Sequence, residues 1–591
     1  MRKMNAQRAQ ILQTSSVPAP IGGLNSRDSI AAMPPTDAIM MVNWFPTPTT
    51  IDVRGGSLDW GTGMTGWVET IMVYNGSTNT KMFAVAGTVL YDVTLQGVAV
   101  ANPLNNIGSA RWSYINFGTP GGQFLVACDG VGRTKVYDGN GWSNVFNAAT
   151  GFNSITSITN SGTTATLTTG SAHGYSTGQQ VTVSGATPAA YNGTYNITVT
   201  GTNTFTYVMA TTPGGNATVV GSLSQPAITG STGTQNFNYV TSFKSRLFFI
   251  EKNTLHVWYL PVTQIFGAAS LLDLSSIFKL GGKLVAAQAW NIDTVAGPND
   301  YIAFLSDRGE VVVYQGYDPT QASTWSLQGV FRVGRPAGPR ALQKIGSDLY
   351  VVTVDGCVPL SKAMLTDRSQ GEYQVSAKID NLINNDVSTY ANNFGWQLTL
   401  YPVGNKIIVN VPQVENSIQY QYVCNTITGA WTVFKGWSAA CFELMNDRLF
   451  FGTNGKVVQC DVGTVDNGIA IQTDLKPAFS AFGAPGQNKQ FTMVRPIFST
   501  SGAFGTAAVL NVDFRDATPT SSLNLPSSAN ASLWDVSLWD VSYWSQDNVV
   551  NINWETVYGI GFQASYRLQT ISKISVSLLA IDYGYQMGGV L

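Results

Sequence analysis

DYIAFLSDRGEVVVYQG, residues Asp300 to Gly316, reads as two apolar strands joined by a tight Asp-Arg-Gly turn. β-branched and aromatic residues favour the pleated backbone, and Asp and Gly accept the turn conformations that most residues resist. The arrangement recurs along the chain. It is found in KMFAVAGTVLYDV (Lys81 to Val93), QFLVACDGVGRTKVYDG (Gln123 to Gly139) and SRLFFIEKNTLHVWYL (Ser245 to Leu260). It returns in DLYVVTVDGCVPLSK (Asp348 to Lys362), NKIIVNVPQVENSIQYQYV (Asn405 to Val423) and DRLFFGTNGKVVQCDV (Asp447 to Val462). Neighbouring copies lie roughly 40 to 60 residues apart, with one interval near 120. A four-stranded propeller blade occupies about 40–50 residues, whereas a β-sandwich would not repeat one hairpin so regularly. The expectation is an all-β chain built on a β-propeller of six to eight blades.

The long interval has its own composition. From Ser154 to Ser222 the chain is rich in Thr, Gly, Ser, Val and Ala, and QQVTVSG, YNITVTG and TFTYVM alternate with period two. That pattern predicts half-buried antiparallel strands, hence a small β-sandwich module (154–222) inserted between blades. After about Gly468 the hairpin motif stops. Further strand patterns such as FTMVRPIFST and ISKISVSLLAIDYGYQM predict a C-terminal β-sandwich over 469–591. The propeller is then divided into 61–153 and 223–468, behind an N-terminal arm and lead-in segment over 1–60. One stretch breaks the β rule: Val375, Ile379, Leu382 and Ile383 fall at helical spacing, predicting a short helix over Val375 to Val387. In LWDVSLWDVSYW, Trp534, Trp539 and Trp544 recur at steps of five, which fits neither a helix face nor a strand face. They are candidate interface residues, since Trp is enriched where subunits meet.

Composition bounds the function. Charged residues make up 11% of the 591, against about 25% in an ordinary soluble domain, and 60 glycines fill part of that space. The formal charge is −2, and no run of Lys or Arg supplies the cations that tight phosphate binding needs. No apolar run reaches the ~20 residues of a bilayer span. The opening MRKMNAQRAQILQ is basic and polar without an apolar stretch, so it reads as a tail or as an arm that orders on a partner rather than as a signal peptide. Cys128, Cys357, Cys424, Cys441 and Cys460 are odd in number and never spaced as CxxC, which favours buried thiols made in a reducing compartment.

Catalytic patterns are sparse. The two histidines, His173 and His256, lie in a turn and a strand, and neither has a nucleophile or metal partner nearby in sequence. GTNGKV (Gly452 to Val457) lacks P-loop spacing and sits in a hairpin. Asp513 and Asp516 in DFRD could be imagined as a glycosidase pair, but three residues apart on a strand they point to opposite faces. The reading is a chain that is not an enzyme, with no cofactor and no metal site.

The segment VPAPIGGLNSRDSIAAMPPTDAIMMVNWFPTPTTIDVRGG, Val17 to Gly56, resembles the opening of the nozzle-type tail proteins of short-tailed, podovirus-like bacteriophages. The matching residues are Gly22, Gly23, Asp28, Met33, Pro34, Asn43, Trp44, Pro46, Arg54 and Gly55. WETVYGIGFQASYRLQ (Trp554 to Gln569) is similar to the C-terminal part of the same family, and the inserted module to a small β domain frequent in phage structural proteins. The resemblance implies a homo-oligomeric ring, usually of six copies, at the distal end of the virion tail. It would be made in the host bacterial cytoplasm, join a tail adaptor, carry tail fibres or a needle, and retain and then pass double-stranded DNA non-specifically. A receptor-binding or fibre-docking tail protein is the alternative, and a glycan-hydrolysing propeller a third reading.

Overall fold

The computed structural model describes residues 12–148, 154–175, 177–294, 297–364, 374–525 and 549–590. Its core is a closed ring of seven antiparallel sheets. Blade 1 runs through Val68–Asn75, Thr80–Ala86, Val89–Asp92 and Val100–Asn102, and blade 2 through Ser113–Thr119, Gly122–Cys128, Lys135–Tyr137 and Trp142–Asn144. Blade 3 is Phe237–Phe243, Arg246–Glu251, His256–Tyr259 and Ser270–Asp273; blade 4 is Leu284–Thr294, Gly297–Ser306, Glu310–Gly316 and Trp325–Arg332. Blade 5 has three strands, Leu342–Ile345, Asp348–Thr353 and Gly356–Pro359. Blade 6 is Gln397–Tyr401, Lys406–Val414, Ile418–Asn425 and Trp431–Lys435. Blade 7 takes Cys441–Met445, Arg448–Thr453 and Lys456–Cys460 from late in the chain and its outer strand, Ser57–Thr62, from the beginning.

The first strands of consecutive blades are neighbours, and that of blade 7 returns to that of blade 1, so the ring closes. The all-β propeller expectation is met, and the blade number is seven. Each hairpin recognised in the sequence is the second and third strand of one blade. These strands are buried on both faces, because a neighbouring blade covers each side. Val311, Val312 and Val313 are all at most 1% exposed, which explains continuous apolar runs in place of alternation. An apolar core fills each gap between blades, that between blades 5 and 6 being continuous with the second body. Phe83 and Trp142 lie between blades 1 and 2, and Phe248 and Trp325 between blades 3 and 4. Each such ring removed from water contributes about 1.5–3 kcal/mol.

The predicted helix is displaced. It spans Asp380–Tyr390, because Val375 to Ile379 is pinned as a turn against blade 5: the Ser376 Oγ accepts from the Cys357 N–H (2.8 Å) and the Ser376 carbonyl from the Ile379 N–H (2.7 Å). Ile383 and Val387 of this helix pack against Gly356–Pro359 of blade 5 and Lys406–Val414 of blade 6. Residues 155–224 form two small antiparallel sheets around their own core, including Leu167, Val181, Tyr191 and Phe205.

Beyond blade 7 a second body is built from both ends of the chain. One sheet contains Gln13–Pro18, Trp44–Pro46, Ile51–Val53, Gln487–Thr500, Val549–Asn551, Glu555–Gly561 and Val576–Val590. The facing strands are Asp37–Val42, Ile469–Pro477, Gly505–Val512 and Ala564–Ser572, and they continue the sheet of blade 6 through the parallel pairing of Val42 with Val433. Trp44, Phe491, Tyr566, Leu578 and Tyr583 meet in one core that also reaches blades 5 and 6.

Candidate functional site

The residues that carry the family resemblance converge on the junction between propeller and second body. Asn43 sits at φ 59, where its short amide side chain suits the left-handed backbone. Its Nδ2 donates to the Gln472 carbonyl (2.8 Å), while its Oδ1 accepts from the Lys435 N–H (2.8 Å) and from Arg54 Nε (3.1 Å). The Arg54 side chain is 1% exposed and all five of its N–H groups are used. Besides Asn43 they reach Asp466 through both carboxylate oxygens (3.1 and 2.6 Å), the Lys435 carbonyl (2.9 Å) and the Gly55 carbonyl (2.8 Å). The guanidinium also stacks over Trp437 at 4.9 Å. One buried fork thereby ties blades 6 and 7 to the N-terminal segment.

The other motif residues serve the same junction. Gly23 adopts φ +80, and a Cβ there would stand 2.6 Å from the Trp431 carbonyl oxygen; at Gly22 it would meet Asp37 Oδ1 at 2.0 Å. Trp44 is fully buried in the shared core, and the Pro46 carbonyl accepts from Asn425 Nδ2 (2.8 Å). Asp28 accepts from Asn25 Nδ2 (2.9 Å), which also donates to the buried Asp37 (2.7 Å), itself paired with Lys378 at 2.8 Å. Trp534, Trp539 and Trp544 lie outside the described residues.

A second site was not foreseen. The innermost strands of all seven blades enclose a cavity of about 550 Å³ on the propeller axis. Arg340 enters it from the segment before blade 5. Its guanidinium donates to the Glu69 carbonyl (2.8 Å), Thr70 Oγ1 (2.6 Å) and the Trp112 carbonyl (3.0 Å), and stacks over Phe394 at 5.0 Å. Glu443 of blade 7 also lines the cavity, and desolvation pushes its carboxyl up to about 7 against the opposing pull of Tyr114 and Arg340. Asp129 in the same wall accepts from the N–H groups of Gly108, Ser109, Val131 and Gly132. The signal for Glu443 was an acid between Phe442 and Leu444 in a strand; Arg340, in GRPAGPRAL, carries none.

The remaining candidates stay dispersed. His173 is buried, with Nε2 at 3.1 Å from the Gly201 carbonyl and Nδ1 accepting from the Tyr175 N–H at 3.0 Å. His256 lies 3.2 Å from Glu251. Asp513 and Asp516 are not on a strand, since Gly505–Val512 ends before them and Asp513 turns at φ 49. Asp513 accepts from the Phe562 N–H (2.8 Å), whereas Asp516 pairs with Lys476 (2.8 Å). GTNGKV is the turn between two strands of blade 7. All five cysteines are buried and unbridged. Among the described residues no group of three or more His, Cys, Asp or Glu could hold a metal, and no helix is long and apolar enough to cross a membrane.

Fold and cavity define a seven-bladed β-propeller with a polar axial cavity and an appended two-sheet body. No family model and no curated protein matches this chain. Among solved structures it is similar to a candidate 6-phosphogluconolactonase from Bacteroides uniformis, at 11% identity over 68% of this chain and 91% of that one, with a TM-score of 0.28. YCF48 bound to D1 peptide matches at 10% identity over 71% and 94%, with a TM-score of 0.24. A family 43 arabinoxylan arabinofuranohydrolase from Bacillus subtilis matches at 11% identity over 89% and 96%, with a TM-score of 0.19. The expectation that the chain is not an enzyme is corrected here: structures described as enzymes are among those it resembles. Likeness of this degree transfers no activity.

Proposed function

We propose that the chain is a structural protein of a short phage tail, forming the nozzle ring at its distal end. The observation that carries this reading is the latch: Gly22, Gly23, Asn43, Trp44, Pro46 and Arg54, the residues shared with nozzle-type proteins, all serve one buried junction. A closed propeller suits a crowded virion, because its sheets present few free edges. The second body offers a surface for assembly: Tyr558 and Ile560 on one edge strand, Val550 on another, and Ile552 and Trp554 between the two are exposed apolar side chains. On this reading the chain forms a homo-oligomeric ring of six copies, docks a tail adaptor and fibres or a needle, and lets double-stranded DNA through without gripping it. The near-neutral charge is suited to such passage.

Electron microscopy of the full-length protein, alone and with its adaptor, tests the proposal. Symmetric rings with an axial channel wide enough for duplex DNA support it, and a discrete monomer under both conditions refutes it. The separate core of residues 155–224 favours a second reading, in which this module binds a receptor or fibre. Virions lacking residues 154–222 distinguish the two: both readings expect assembly, and only the second expects loss of attachment.

A further inference from the structure

The axial cavity carries an unbalanced charge. Arg340 has no carboxylate within ion-pairing distance among the described residues, and three of its five N–H groups are spent on blades 1 and 2. The other ionisable groups of the wall are compensated or weakly charged. Asp129 is surrounded by four main-chain N–H groups, Arg111 is paired with Glu69 and Glu415, and Glu443 is partly protonated near neutrality. The remaining polar lining is hydroxyl and amide, including Tyr114, Tyr239, Thr241, Gln288 and Gln343, interleaved with apolar side chains such as Ile71, Val240 and Leu398. Asn238 adds a buried Oδ1 without a hydrogen-bond partner. Trp112 and Phe394 supply aromatic surface.

A cation with open donors asks for an anion, and many neutral groups that both donate and accept ask for hydroxyls. A dianionic phosphate would need more than the donors one guanidinium has left, and it would face Glu443. We propose that the axial cavity binds a monomeric sugar acid, its carboxylate on Arg340 and its hydroxyls on the ring of phenol, hydroxyl and amide groups. At about 550 Å³ the space is within the range of small-ligand pockets and far larger than a bare carboxylate requires. The proposal stands apart from the ring reading, because it concerns the axis of a single propeller.

Isothermal titration of the full-length protein with D-glucuronate, D-glucose and acetate tests it. Glucuronate should bind saturably, with glucose, which lacks the carboxylate, and acetate, which lacks the hydroxyls, each at least about tenfold weaker. Arg340→Gln should abolish glucuronate binding. Because Arg340 also ties two blades together, Gln288→Leu serves as a second variant that touches only the hydroxyl-binding side; it should weaken binding about fivefold with the melting temperature unchanged. Absence of saturation by glucuronate up to about 10 mM, equal affinity for glucose, or unchanged binding in folded Arg340→Gln or Gln288→Leu protein overturns the proposal.

Discussion

Replacing Arg54 by Met tests whether the latch is a principal source of stability. The substitution keeps the aliphatic stem and removes five hydrogen bonds. Two are charge-assisted contacts to Asp466, worth roughly 1.5–3 kcal/mol each, and three go to neutral acceptors at about 1 kcal/mol each. These do not add, because Asp466 retains Ser57 Oγ at 2.9 Å and its side chain, 21% exposed, can rehydrate. The net expectation is a loss of about 3–5 kcal/mol, typical of removing one partner from a buried pair. Unfolding entropy of about 2.1 cal/mol/K per residue, over the roughly 340 residues of the propeller, converts this to a fall in Tm of about 4–7 °C. Calorimetry and denaturant titration of R54M, D466N and the double variant would measure both the loss and the pairwise coupling. Arg54→Lys should recover less than half of it, since one ammonium cannot reach five acceptors. A change under about 1 kcal/mol for R54M, or coupling near zero with Asp466, would refute the reasoning.

Three further outcomes follow from single residues. Glu443 holds a proton in the folded protein up to about pH 7 that it releases near 4.5 when unfolded, so its penalty is absent below about 4.5, grows between the two values and is complete above 7. Glu443→Gln should therefore stabilise the protein by up to about 3 kcal/mol at alkaline pH and by nothing in acid; a pH-independent effect in thermal melts contradicts the assignment. Gly23→Ala should cost about 3 kcal/mol or more, because left-handed backbone and collision with Trp431 combine, whereas Gly66→Ala, at φ +89 with open space around its Cβ, should cost about 1 kcal/mol; similar denaturation midpoints for the two would show that the collision relaxes freely. Burial raises all five thiols, Cys424 to about 12 and Cys441 to about 11, so a disulfide-exchange reagent should find five cysteines in denaturant and none reacting rapidly in the native protein.

The middle hairpins of the blades were legible because everything that makes them is local: an apolar run, a turn with Gly, Asp or Asn, and a second run. The innermost strands were not. Ser113–Thr119 (SYINFGT) and Gln397–Tyr401 (QLTLY) mix polar and apolar residues, since one edge faces the axial cavity. Blade number therefore emerged only from counting one middle hairpin per blade. Asn43 and Arg54 stood out only through the resemblance, because their partners, Gln472 and Asp466, lie more than 400 residues away. Arg340 and Glu443 meet around an axis that exists only once seven blades have closed, so no local pattern could join them.

That separation gives the latch a physical purpose. Blade 7 is completed by pairing Ser57–Thr62 with Lys456–Cys460, which closes a loop of about 400 residues. Relative to an ordinary connection of about 40 residues, the chain-entropy cost is greater by (3/2)RT ln 10, about 2 kcal/mol. Four register pairs with Lys456–Cys460 must offset that cost, and among the described residues the far edge of the strand is held only by Gly97–Val98 and Asp466. Arg54, just before this strand, and Asn43, hydrogen-bonded to it, add contacts to Lys435 of blade 6, to Asp466 beside blade 7 and to Gln472 of the second body at once. Opening the propeller at this seam then requires breaking the latch as well, which converts a weak edge into a cooperative closure. It also means that the ring cannot shut until Lys456–Cys460 and Asp466 have been made, so the N-terminal segment must wait for the late part of the chain.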